Sequence, residues 1–146
     1  MALQLVRIDD ALPEAFPVLR DAAHAEGHRH LARLEHDLAS GSQRFDREGE
    51  ALLAAFLDGE LVGIGGLTRE PSRARRALRM RRLYVLPQAR RHGVATAIAN
   101  ALTQEALAHA RILTVHAGNP AAERFWEALG YAAVPDKPWT HELRLA

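Results

Sequence analysis

The chain has 146 residues, 48% of them hydrophobic and 25% charged, with a formal net charge of +1. That length fits one domain, residues 1–146, with a sizeable core, and the near-neutral balance makes any concentration of charge a local feature. It holds no cysteine, which excludes a disulfide framework, a thiolate metal site and a cysteine nucleophile. No apolar run is long enough to span a bilayer and no signal-peptide profile opens the chain, so no membrane partner is expected and the cytoplasm is the expected compartment.

Leu3–Ile8 alternates as a first strand does. Asp9 or Asp10 can cap a helix through Pro13–Phe16, which Pro17 bends or restarts. Leu31, Leu34 and Leu38 have helical spacing within a second helix over Arg29–Ala39, and Gly41 ends it. Ala51–Leu57 and Leu61–Leu67 flank Asp58-Gly59, a hairpin signal, and Gly63, Gly65 and Gly66 point to a bulge or a close backbone approach. After a polar loop, Pro71–Arg76, comes a central strand ending at Leu86-Pro87. A basic loop, Gln88–Gly93, leads into an alanine-rich helix from about Val94. The remainder reads as a strand at Ile112–His116, a helix over Ala121–Leu129 closed by Gly130, and strands at Tyr131–Val134 and Thr140–Leu145.

Strand, glycine-bearing loop and helix in that order form an anion-binding device. The first N–H groups of a helix lack intrahelical partners, the helix dipole is positive there, and a glycine lets a phosphate approach. From Pro71 to Gln104 there is no Asp or Glu, while eight arginines fall between Arg73 and Arg91. Such a local field points to a polyanionic ligand. The loop has neither the P-loop pattern nor the dinucleotide-binding glycine pattern.

Arg90-Arg91-His92-Gly93-Val94-Ala95, after the strand Leu83-Tyr84-Val85-Leu86-Pro87, resembles the pyrophosphate loop of the Gcn5-related N-acetyltransferases. Asn119, Ala122, Phe125, Trp126, Gly130 and Tyr131 resemble the ending of the same family, so the resemblance spans roughly Ala51 to Tyr131. It implies an α/β (α+β) fold of the acyl-CoA N-acyltransferase type, with a mixed, largely antiparallel central sheet flanked by helices. It also implies acetyl-CoA as cofactor and transfer of acetyl to a primary amine of a small molecule or peptide by direct attack. On this resemblance the cofactor-binding residues are Leu83, Tyr84, Val85, Arg90, Arg91, His92, Gly93, Val94, Ala95, Thr96, Asn119, Phe125 and Trp126. The amide of Tyr84 or of Val85 would contact the thioester oxygen.

The chain departs from the family at two positions. Trp126 stands where a tyrosine usually protonates the leaving thiolate, and indole has no acidic proton for that task. It packs either on the pantetheine or in the core. Arg79 stands where many relatives carry a glutamate, which leaves Glu70 and His116 as candidate bases. His24, His28 and His30 include an i, i+4 pair, but no carboxylate completes a metal-ligand spacing and Gly27 breaks the helix between them. Two other readings are a non-catalytic acyl-CoA-binding module and, more weakly, a nucleic-acid-binding domain on the arginine cluster. Few aromatics interleave that cluster, and strand alternation puts Arg79 and Arg81 on one face and Arg82 on the other. A homodimer is compatible with the fold, although no long exposed apolar stripe compels one.

Overall fold

The computed structural model describes residues 2–145. In chain order these form β1 (Leu3–Arg7), α1 (Phe16–Ala25), α2 (His30–Ser40), β2 (Ala51–Leu57), β3 (Glu60–Arg69), β4 (Ala77–Val85), α3 (Val94–Ala106), β5 (Ile112–Val115), α4 (Pro120–Ala128), β6 (Ala132–Ala133) and β7 (His141–Arg144). The strands make one mixed sheet in the order β1-β2-β3-β4-β5-β7-β6. Among the described residues only the β4–β5 pair is parallel.

The hairpin falls where the Asp-Gly pair puts it. Asp58 and Gly59 sit at φ 51° and 84°, the left-handed pair whose twist suits a two-residue turn. The first helix corrects the expectation for Asp9 and Asp10. It starts at Phe16 with Ala15 as its N-cap and no side-chain cap. Pro17 therefore lies in the first turn, where a missing N–H costs nothing, and neither bends nor restarts a helix. Gly27, at φ 87°, follows the end of α1 and turns the chain toward α2.

Both inferences about the β3 glycines hold. Against β2, Ala55 pairs with Gly63 and Phe56 with Leu61, leaving Val62 as the extra residue. Against β4, Ile64 pairs with Tyr84 and Gly66 with Arg81, so Gly65 alone faces two residues, Arg82 and Leu83. The glycines also allow close packing on both faces. A Cβ on Gly65 would come within 2.6 Å of Ile98 on α3, and one on Gly66 within 2.6 Å of a Phe45 ring carbon.

That second bulge overturns the expected split of the arginines. Arg82, at φ 59°, turns toward α2 and meets Asp37 at 3.4 Å. Arg81 stays beside it: burial first, then the neighbouring charges of Arg82 and Arg79, lower its pKa.

The core fills both sides of the sheet, with Leu19, Leu31, Leu34, Ile64, Leu67, Ile98, Leu102 and Leu113 buried. One consequence of the topology positions the site. β5 pairs with β4 only from Ala77↔Ile112 to Arg79↔Thr114, so β4 from Met80 to Val85 has no β5 partner and a gap opens beside it.

Candidate active site

The loop after β4 makes a single 3₁₀ turn, Pro87–Ala89, then enters α3 through Arg91 at φ 67° and Gly93 at φ 75°. Gly93 is the N-cap and no side chain caps the helix. No acidic residue occupies the first turn, and nothing lies within 4 Å of where a Gly93 Cβ would stand. The helix thus presents uncapped N–H groups and the positive end of its dipole to open space, which fits a phosphate. Arg91, His92 and Thr96 are exposed around this point, while Val94 is buried under it.

The gap meets the same loop. Leu86 donates its N–H to Val62 O at 2.8 Å, toward β3. Alternation then turns the Tyr84 N–H toward β3 and the Val85 N–H and C=O toward the gap. The Val85 carbonyl accepts from Arg90 Nε at 3.1 Å, which agrees with that orientation. Of the two amides singled out in the sequence, Val85 faces the open edge.

The Tyr84 side chain points toward α1 and α2. Its hydroxyl donates to Glu26 Oε1 at 2.5 Å, and both Arg90 Nη atoms donate to the same carboxylate at 2.7 and 3.0 Å. Hydrogen bonds from Arg90 and Tyr84 hold the Glu26 pKa below the usual carboxylate range. Burial and the Glu26 carboxylate push the Tyr84 phenol up to about 12, so it keeps its proton at neutral pH. The rings of His28 and His30 pack on Tyr84, at 6.4 and 6.1 Å between centroids. Burial, with the charges of His28 and Arg82, lowers His30 to about 4. Sequence reasoning missed Glu26. Nothing local marks it, because its partners lie 58 and 64 residues away.

The model of the acetyltransferase (GNAT) family matches residues 7–131. The chain belongs to the GNAT acetyltransferases. That family uses acetyl-CoA, and the uncapped α3 end and the open edge of β4 are where residues of this chain fit such a molecule. Among solved structures, a proposed acetyltransferase from Exiguobacterium sp. 255-15 is 28% identical with a TM-score of 0.87, covering 99% of this chain and 94% of its own. YncA, a proposed acetyltransferase from Salmonella typhimurium solved with its cofactor acetyl-CoA, shares the fold at 17% identity and a TM-score of 0.66, over 100% of this chain and 95% of that one. Ard1 from Thermoplasma volcanium does so at 16% identity and 0.74, over 100% and 99%. No curated protein matches the chain.

The other residues singled out in this GNAT chain are spread more widely. Glu70 is buried at the far end of β4, in an ion pair with Arg79 Nη2 at 2.5 Å. It accepts from the Ser72 N–H at 2.6 Å and also from the hydroxyls of Ser72 and Thr114. Burial alone would raise its pKa, but the Ser72 hydrogen bonds and the Arg79 charge lower it overall. His116 follows β5, beyond the last residue that pairs with β4, and is exposed. The Asn119 side chain caps α4 by accepting from Ala122 N at 2.9 Å. Trp126 is 7% exposed and packs edge-on between Phe125 and Tyr131, so of its two expected places it takes the core.

Proposed function

We propose that this GNAT protein is a cytoplasmic N-acetyltransferase that moves acetyl from acetyl-CoA to a primary amine of a small molecule or peptide by direct attack. The observation that carries this reading is the meeting of two features at one loop: the uncapped N-terminus of α3 and the Val85 amide on the open edge of β4. Acetyl-CoA supplies the acyl group as a thioester. The N–H groups of α3 from Val94 to Thr96, with the Arg91 guanidinium that has no partner among the described residues, would hold its pyrophosphate. The Val85 N–H is a fixed donor for a carbonyl oxygen as negative charge develops on it.

Glu26 stays ionised but is committed to Arg90 and Tyr84, so it fixes that side of the site, and the acceptor arrives in its ammonium form. That ammonium, with a pKa of about 10.4, must lose a proton before it attacks. His116 takes the proton, because Glu70 has its lone pairs committed to Arg79, Ser72 and Thr114. A thiol pKa of about 8.5 lets the thiolate leave without a protein acid, and the second proton of the attacking nitrogen passes to that thiolate or to water, so Trp126 is no obstacle to turnover.

Thermal unfolding with and without acetyl-CoA tests the cofactor site. At about a hundred times its dissociation constant the ligand stabilises the wild type by about 2.7 kcal/mol, a shift of several degrees. Gly93→Val keeps the fold, at a cost of about 1–2 kcal/mol for a branched residue at positive φ, and loses that shift. An equal shift in the variant removes the α3 site. Release of CoA thiol with a panel of amines then tests the reaction. Binding without release would make the protein an acyl-CoA-binding module.

A further inference from the structure

The arginine cluster of the sequence is only partly used by the site above. At the opposite end of β4, where β3 finishes and β4 begins, a cavity of about 860 Å³ is lined by Arg47, Arg69, Arg73, Arg76 and Arg81. None of these five guanidinium groups has a hydrogen bond or an ion pair among the described residues. Three carboxylates share the lining, and the two buried ones are already engaged. Glu50 accepts from the backbone N–H groups of Arg47 and Arg69, at 3.2 and 2.9 Å. Glu70 is held by Arg79 and Ser72. Glu48 lies 3.7 Å from His109. Glu50 and Glu70 therefore fix the backbone that carries the arginines and leave the guanidinium groups available.

The turn that presents two of the arginines is tied down at both ends. Arg73 donates its N–H to Glu70 O at 2.8 Å, and Arg76 O accepts from the N–H groups of Arg111 and Ile112 at 2.8 and 3.2 Å. Arg73 and Arg76 are both held at positive φ, 64° and 54°. Guanidinium groups carried on a fixed backbone around a concave space can close on phosphate oxygens through paired N–H donors.

We propose that this cavity is a second anion site, taking a small molecule that bears several phosphate groups. Its volume lies within the range of small-ligand pockets, and its lining has no Phe, Tyr or Trp on which bases could stack, which favours such a molecule over nucleic acid. Arg81, the lining residue farthest along β4, stands four residues before Val85, about 13 Å along the strand, so a ligand of a few phosphate groups does not fill both sites.

Calorimetric titration with inorganic tripolyphosphate tests the site on the full chain. Three proteins are compared: the wild type, the exposed triple variant Arg47→Ser/Arg69→Ser/Arg73→Ser, and Gly93→Val. The expected result is binding to the wild type and to Gly93→Val, weakened about tenfold or more in the triple variant while its circular dichroism and melting temperature stay those of the wild type. Equal binding by the triple variant, loss in Gly93→Val alone, or no binding by the wild type would overturn the proposal. So would a DNA duplex that binds more tightly than tripolyphosphate and is lost in the triple variant, which would give the cavity to nucleic acid.

Discussion

Arg90 and Arg91 are neighbours of one chemistry, yet they have different tasks. Arg90 is tied to Glu26 and to the Val85 carbonyl, so its charge is largely neutralised and its effect is to brace the end of β4. Arg91 has no partner among the described residues and stands exposed beside the α3 N-terminus. The two candidate bases divide in the same way. Replacing Glu70 by Gln leaves the Arg79 guanidinium half-buried without its counter-charge, and we expect a loss of about 3 kcal/mol in stability. His116→Ala should leave the melting temperature unchanged and lower the rate by about a hundredfold. Steady-state thiol release across pH, run beside thermal unfolding, checks both variants. A Glu70→Gln protein that melts normally but has lost its rate would move the base to Glu70.

At the scale of elements, the site depends on how β4 is held. Its parallel partner covers only three residues, and its antiparallel partner bulges against it at Gly65. The first feature opens the gap beside Val85. The second lets α3 lie close on the sheet while Arg82 swings toward α2. Gly65→Ala should therefore be costly although alanine is small. Its methyl would stand 2.6 Å from Ile98 Cγ2 and 3.1 Å from Leu83 Cδ1, inside a packed layer that has no room to yield. We expect a loss of about 1–3 kcal/mol, read from denaturant unfolding at constant m value. An unchanged midpoint would show that α3 can move off the sheet. This contact was half legible in the sequence: three glycines in one strand announced close approach, but not which helix approached.

For the whole molecule, acid stability follows from a contact among α1, α2 and β4. His30 packs on Tyr84 with its Nδ1 buried and unpartnered, and its pKa falls from 6.5 to about 4. A histidine whose folded pKa is depressed binds its proton more readily when unfolded. Its contribution is therefore intact above about pH 6.5 and is lost as the pH falls toward about 4. The charges that face it, on His28 and Arg82, act in the same direction. The melting temperature should fall between pH 7 and 5, and His30→Gln should flatten part of that fall. Parallel pH profiles for the two proteins would assign the acid sensitivity to other groups.

The sequence alone determined the order of elements, the Asp-Gly hairpin, and the strand, glycine loop and helix that make the anion site. Those depend on backbone preferences and periodicity within a few residues, which a chain carries wherever it is placed. It could not place Asp9 and Asp10 outside the first helix, because the start depended on where Phe16 found the core. Only the tertiary structure decided that Glu26 takes up Arg90, that Trp126 joins Tyr131 in the core, that Arg82 turns toward α2 and that Val85 presents the open amide. Each of these rests on partners distant along the chain or on a register shift between strands. Pairings of that kind exist only once the sheet has assembled, and no local pattern encodes them.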